Sequence, residues 1–183
     1  IRAPEHHSES TESMLAHIPG LRVVIPSSPA RAYGLLLAAI RDPDPVVFLE
    51  PTRLYRSAKG DVEDSGEALP LDTAFVLREG RDVTLVSWGA SLKETLAATD
   101  ELAADGIGAE VVDLATLKPY DEATVLASVA KTGRLFTVEE NPRLLGWGAE
   151  IASIVADEAD ATAVERLPAA GVTFTVLGDE VRV

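Results

Sequence analysis

The sequence contains no cysteine, which removes disulfides, thiolate metal sites and cysteine nucleophiles together and fits a reducing cytoplasm. It also lacks any apolar run near the ~18 residues a membrane-spanning helix needs, so an integral membrane protein is not expected. The chain opens at Ile1, without methionine or a signal-peptide pattern, and is expected to begin inside a longer polypeptide. Basic residues are scarce, 16 against 30 acidic ones, giving a net charge of −14. So negative a surface repels nucleic acid and anionic lipid, and neither is an expected partner. Only four basic residues are lysines: Lys59, Lys93, Lys118 and Lys131. A salt-adapted cytoplasm and an ordinary acidic protein from a high-GC genome account for that bias equally well.

What is present is the composition of a globular protein, 46% hydrophobic and 25% charged over 183 residues, enough to bury a substantial core. Leu21–Ile25 forms a β-branched run. Ser28-Pro29 is a helix start, because proline at the first helical position loses only an already unpaired N–H. Leu35, Leu36, Ala39 and Ile40 recur at helical spacing and predict a buried stripe. Asp42-Pro43-Asp44-Pro45 stops the helix, and Val46–Leu49 is a predicted buried strand. Residues 57–71 are polar and rich in Gly, Ser, Asp and Glu, which predicts a solvated linker and divides the chain into residues 1–62 and 63–183.

Beyond the linker, strands at Val83–Ser87, Ala109–Leu114 and Arg134–Val138 alternate with helices at Ser91–Ala104, Asp121–Lys131 and Ala149–Ala159. Leu92, Leu96 and Ala103 are expected on the inner side of the first of these helices. Gly133 stands in the usual closing position of the second. Short strand–helix–strand connections predict an α/β fold with a mostly parallel sheet covered on both faces.

Four clusters bear on chemistry. His6-His7-Ser8-Glu9-Ser10 puts two imidazoles beside hydroxyls and a carboxylate, which is either a proton-moving site or a solvated loop. His17, among apolar neighbours, is taken as structural. Around Ala39–Asp44 a helix ends, so carbonyl oxygens without internal partners converge where a hard cation could sit; a plain capped end with exposed aspartates is the simpler account. Gly146-Trp147-Gly148 permits close packing at a helix start, against a neighbouring domain or subunit. Glu139-Glu140 lies at a strand end, where open α/β sheets place their sites, although an exposed acidic pair is the default. No catalytic triad, nucleophile elbow or phosphate loop occurs.

Taken in order, several blocks resemble the β subunit of thiamine-diphosphate-dependent pyruvate and branched-chain 2-oxo acid dehydrogenases. They are His6–Ser10, Pro19–Ser27, Gly34–Glu50, Leu54-Tyr55-Arg56, Gly80–Trp88, Val111–Asp121, Lys131–Arg134 and Gly146–Ile151, and the likeness spans roughly residues 1 to 166. The resemblance implies the second half of a pyrimidine-binding thiamine-fold domain followed by a transketolase C-terminal-like domain. It further implies an α2β2 heterotetramer with an α subunit, thiamine diphosphate, Mg2+ held mainly by that subunit, and a dihydrolipoyl acyltransferase core as partner. His7 matches the histidine beside the cofactor's reactive carbon, with a role in reductive acylation of a lipoyl group. The backbone carbonyls of Ala39, Asp42 and Asp44 match a K+ site. The glutamate that activates the cofactor would lie before Ile1, and residues 170–175 depart from the family's pattern. A non-catalytic assembly module, or another thiamine enzyme of the transketolase type, remains the alternative reading.

Overall fold

The computed structural model describes residues 9–141, 146–159, 164–169 and 172–177. In the first part, α1 (Glu12–Ala16), β1 (Arg22–Val24), α2 (Pro29–Arg41), β2 (Val46–Phe48) and α3 (Leu54–Ser57) follow one another. The side chain of Ser28 accepts from the Arg31 amide and Pro29 occupies the first turn, so α2 starts where the sequence predicts. β1 and β2 are parallel, with α2 as the crossover between them.

The predicted stripe on α2 is only partly buried. Leu35 is sealed against Val24, Leu71 and Ala115, and Ala38 packs on the same cluster. Leu36 and Ile40, by contrast, are 41% and 72% exposed. Helical spacing locates an apolar face but not which edge of it the neighbouring strands reach.

The linker runs back along α2 rather than hanging free. Tyr33 Oη donates to Asp64, the Gly66 amide donates to Tyr33 Oη, Arg41 reaches the Gly66 carbonyl, and the Leu69 amide bonds the Gly34 carbonyl. Residues 59–68 are exposed, whereas Leu69 and Leu71 return to the core.

The second part comprises β3 (Phe75–Arg78), β4 (Val83–Ser87), α4 (Leu92–Ala104), β5 (Ala109–Asp113), β6 (Thr116–Lys118), α5 (Glu122–Thr132), β7 (Leu135–Val138), α6 (Trp147–Ala159), β8 (Val164–Ala169) and β9 (Val172–Leu177). A six-stranded sheet has the order β3-β5-β4-β7-β9-β8. Its centre, β5-β4-β7, is parallel as expected, and β3, β9 and β8 extend it in antiparallel pairing at both sides. Every residue of β4 and β5 is buried, because helices cover both faces of a parallel centre.

On α4 the inward side carries Leu92, Thr95 and Thr99, and Ala103 faces outward. The two threonines stay inside because each hydroxyl donates to the carbonyl one turn earlier, Ser91 and Thr95 respectively, which satisfies it without water.

Strand β6 leaves the large sheet and pairs antiparallel with β1, making a three-stranded sheet β2-β1-β6. Residues on either side of the linker therefore share one sheet. They also share one core, in which Ala16, Val23 and Ile25 pack with Val86, Trp88, Leu117, Val125 and Ile151.

Candidate functional site

The C-terminal ends of the central parallel strands hold a buried polar network. β7 runs into Glu139, which is 2% exposed, and Asn141, 4% exposed; β4 runs into Trp88; and the first residue of α1 brings Glu12 into the same place, 6% exposed. Glu12 Oε1 accepts from Trp88 Nε1 at 3.3 Å and from Asn141 Nδ2 at 3.0 Å. Asn141 Nδ2 also donates to Glu139 Oε2 at 3.1 Å, and the Gly148 amide donates to Glu139 Oε1 at 2.9 Å. Burial, with the charge of Glu12 adding to it, pushes the Glu139 carboxyl up to about 7 despite the donors from Asn141 and Gly148. A carboxyl in that range holds or releases a proton near neutrality.

Two sequence expectations change here. Glu139-Glu140 is not an exposed pair: only Glu140 lies at the surface, where Arg53 Nη1 meets it at 2.5 Å while Arg53 Nη2 meets Glu94 at 2.5 Å. Gly148 does allow close packing, but against its own domain. A Cβ there would lie 2.3 Å from Glu139 Oε1 and 2.4 Å from Thr137 Oγ1. The anion at the start of α6 is thus the protein's own carboxylate.

A second buried carboxylate, Asp113, ends β5. It accepts from Ser27 Oγ at 2.5 Å, Arg31 Nε at 3.2 Å and the Ala115 amide at 3.1 Å. Burial raises it to about 6, and Ser27 and Arg31 limit the rise. Arg31 also lies 3.7 Å above the Phe75 ring centre, a cation–π contact. Ser27 and Arg31 precede the linker and Asp113 follows it, so this pair too ties the two parts together.

The end of α2 has the donor chemistry of a carbonyl site. Asp42 adopts extended geometry as the C-cap. The residues four places after Ala39 and Arg41 are Pro43 and Pro45, which have no N–H, so those two carbonyls lack a helical partner. The carboxylates of Asp42 and Asp44 face Arg22 Nε at 3.4 and 3.7 Å, and Asp42 Oδ1 accepts from the Asp44 amide. Arg22 thus stands between the two carboxylates, and the Asp44 side chain stays 62% exposed. Among the described residues no group of three His, Cys, Asp or Glu side chains could hold a metal ion. His6 and His7 lie outside the described residues; His17 is exposed at the end of α1.

A cleft of about 370 Å3 opens beside the N-terminus of α2 and the end of β2, lined by Pro29, Tyr33, Leu36, Phe48, Glu50 and Tyr55 among others. The Tyr55 hydroxyl donates to Glu50, so the cleft is apolar with an acidic rim.

Comparison with known proteins gives this geometry a context. The model of the transketolase C-terminal domain matches residues 72–177, and that of the transketolase pyrimidine-binding domain matches residues 1–58. The chain belongs to the transketolase C-terminal domain family. It is 47% identical over 96% of its length to the pyruvate dehydrogenase E1 component subunit beta of Acholeplasma laidlawii. Identity is 48% over 86% of its length to the mitochondrial 2-oxoisovalerate dehydrogenase subunit beta 2 of Arabidopsis thaliana. The chain covers 52% and 46% of these relatives, about half their length. Among solved structures, a split-gene transketolase described as an inactive beta4 tetramer aligns with a TM-score of 0.69 and 30% identity, over 80% of this chain and 47% of that one.

The Glu12–Trp88–Asn141 contacts and the Ser27–Arg31–Asp113 contacts therefore join the pyrimidine-binding part to the transketolase C-terminal domain. Sequence reasoning missed both sets. The partners are 76 and 129 residues apart in one and 86 in the other, and no local spacing rule links residues so distant. A carboxylate beginning a helix, as Glu12 does, was the one local signal available.

Proposed function

We propose that this chain forms the C-terminal part of the β subunit of a 2-oxo acid dehydrogenase. That enzyme carries out oxidative decarboxylation of a 2-oxo acid with reductive acylation of a lipoyl group. The observation that carries the reading is the 47% identity to a pyruvate dehydrogenase β subunit over 96% of the chain, together with the packing of both matched domains on one core. Division near residue 62 remains our reading of the domain boundary. The absence of cysteine supports a cytoplasmic location, and no helix among the described residues is long and apolar enough to cross a membrane.

Thiamine diphosphate supplies the carbanion chemistry when bound, with Mg2+ and diphosphate gripped mainly by the α subunit of an α2β2 heterotetramer. This chain contributes His7, which orients the lipoyl arm or moves a proton to or from it. The dihydrolipoyl acyltransferase core is the acceptor. K+ is held by the carbonyl oxygens of Ala39, Asp42 and Asp44, and Pro43, which offers the Ala39 carbonyl no N–H one turn on, supports this. Replacing KCl by NaCl at equal ionic strength should then lower the melting midpoint by several degrees, since a bound ion stabilises by mass action; equal midpoints would remove the K+ assignment.

The decisive experiment mixes the full β chain with an α subunit, thiamine diphosphate, Mg2+, pyruvate and lipoamide. Acylation of lipoamide is expected, and His7→Ala should abolish most of it while the heterotetramer still forms. A reconstituted complex with no decarboxylation would leave the assembly-module reading in place. The inactive beta4 tetramer of the split transketolase favours inactivity of the β chain without its partner.

A further inference from the structure

Two buried carboxylates, one from each part of the chain, share a single donor. Asn141 Nδ2 stands between Glu12 Oε1 of α1, at 3.0 Å, and Glu139 Oε2 at the end of β7, at 3.1 Å. Trp88 Nε1 also donates to Glu12, and the amides of Trp147 and Gly148 at the start of α6 donate to Glu139. Thr137 Oγ1, buried near the same Gly148, makes no hydrogen bond to the described residues and brings no compensating charge. The charged groups around the pair do not offset it. Glu12 adds its charge to the burial of Glu139, and Glu150 adds a further acid in the first turn of α6. Arg53 is engaged at the surface by Glu94 and Glu140. Lys118 Nζ is bound to the Ala16 and Ile18 carbonyls at the other end of α1. Glu9 and His17, on the same segment as α1, are exposed. Two carboxylates this close and this dry do not both carry charge without a large electrostatic cost.

Little else holds α1. It has five residues, far too few to persist on local hydrogen bonds alone. Leu15 and Ala16 pack on the shared core, but Met14 is 64% and Ile18 43% exposed. The two parts of the chain have other ties, the β1–β6 pairing and the Ser27–Arg31–Asp113 contacts, so α1 can lift while they stay joined. We propose that the Glu12–Asn141–Glu139 bridge is a proton-operated latch: one proton held between the two carboxylates keeps α1 seated on the C-terminal domain, and its loss frees α1. When α1 lifts, Glu139 loses the charge of Glu12 and gains water, so its proton leaves more readily. Opening therefore releases a proton. Rising pH favours it, steeply up to the folded-state value of Glu139 and no further above that.

The test is hydrogen–deuterium exchange of the full-length protein containing this chain, in its native assembly, corrected for the intrinsic effect of pH on exchange. The amides to follow are those of Leu15 and His17, bonded to the Thr11 and Ser13 carbonyls. Their opening constant should rise by about tenfold or more between pH 5.5 and pH 7.5. Amides of β4 and β5, in the buried centre of the large sheet, should stay at least about tenfold better protected at both pH values. Glu139→Gln, which cannot ionise, should hold the α1 opening constant within about twofold across the range. Glu12→Gln, which keeps an acceptor for Trp88 and Asn141 but not the charge, should shrink the rise. Histidine changes charge in the same range, so His17→Gln is the control and should show the full rise. The proposal is overturned by a wild-type opening constant that does not move with pH, by the same rise in Glu139→Gln, by its loss in His17→Gln, or by β4 and β5 opening together with α1. If Glu139→Gln does not fold, Glu12→Gln decides, and an undiminished rise there overturns the latch.

Discussion

Glu139 is a carboxyl whose burial costs more than its donors return, which raises it to about 7 in the folded protein, above the roughly 4.3 of a free glutamate. A folded-state value above the unfolded one means that the group favours folding fully below about 4.3, and that this contribution is lost as pH rises through about 7. The contribution is on the order of 3 kcal/mol. Glu139→Gln, which cannot ionise, should therefore flatten the fall in unfolding free energy between pH 5 and pH 8, as read by urea titration at each pH. Asp113, raised to about 6, acts in the same direction over a lower window, so some fall will remain in the variant. Parallel curves for variant and wild type would show that Glu139 is charged in the fold. Gly148→Ala tests the same place sterically. A Cβ 2.3 Å from Glu139 Oε1 and 2.4 Å from Thr137 Oγ1 must displace two buried groups, at about 2–3 kcal/mol, measured as a lower denaturation midpoint.

At the scale of elements, α5 shows how a local signal can understate a residue. The sequence marks Asp121 as the start of this helix, and its Oδ1 accepts from the Thr124 amide at 3.0 Å as a cap should. Its Oδ2 also accepts from Thr124 Oγ1 and, at 3.1 Å, from the Ala74 amide, so one carboxylate fixes both the helix and the approach to β3. These donors hold the Asp121 carboxyl below the usual range against its burial. Asp121→Ala should cost about 2 kcal/mol, the upper end for a cap, whereas Ser28→Ala on α2, with one 3.3 Å bond from Arg31, should cost about 1 kcal/mol. Equal losses in chemical denaturation would mean that the bond to Ala74 contributes nothing. At the other end of α5, Gly133 has φ +71° and open space around it. Gly133→Ala therefore costs only the left-handed conformation, about 1 kcal/mol. That position was legible from sequence because backbone handedness is a local property; the second partner of Asp121 was not, because it comes from 47 residues away.

Over the whole molecule the balance of charge dominates. With 30 acidic and 16 basic residues, long-range repulsion opposes compaction, while exposed pairs such as Arg78–Asp100 contribute little each. Screening should relieve more repulsion than it removes attraction, so the melting midpoint should rise between 10 mM and 500 mM NaCl; a fall would mean that the ion pairs matter more than the net charge. Composition, the polar linker and the ordered motifs by themselves determined the class of fold, the order of domains and the family, because these depend on periodicity, on turn chemistry and on blocks of residues contiguous in the chain. Only the tertiary structure decided that Leu36 and Ile40 on α2 stay exposed, that β6 crosses the linker to pair with β1, and that Glu12, Trp88, Asn141 and Glu139 meet. Those outcomes turn on which surfaces of distant segments come within a few ångströms and which carboxylates lose their water, and a linear pattern carries no record of either.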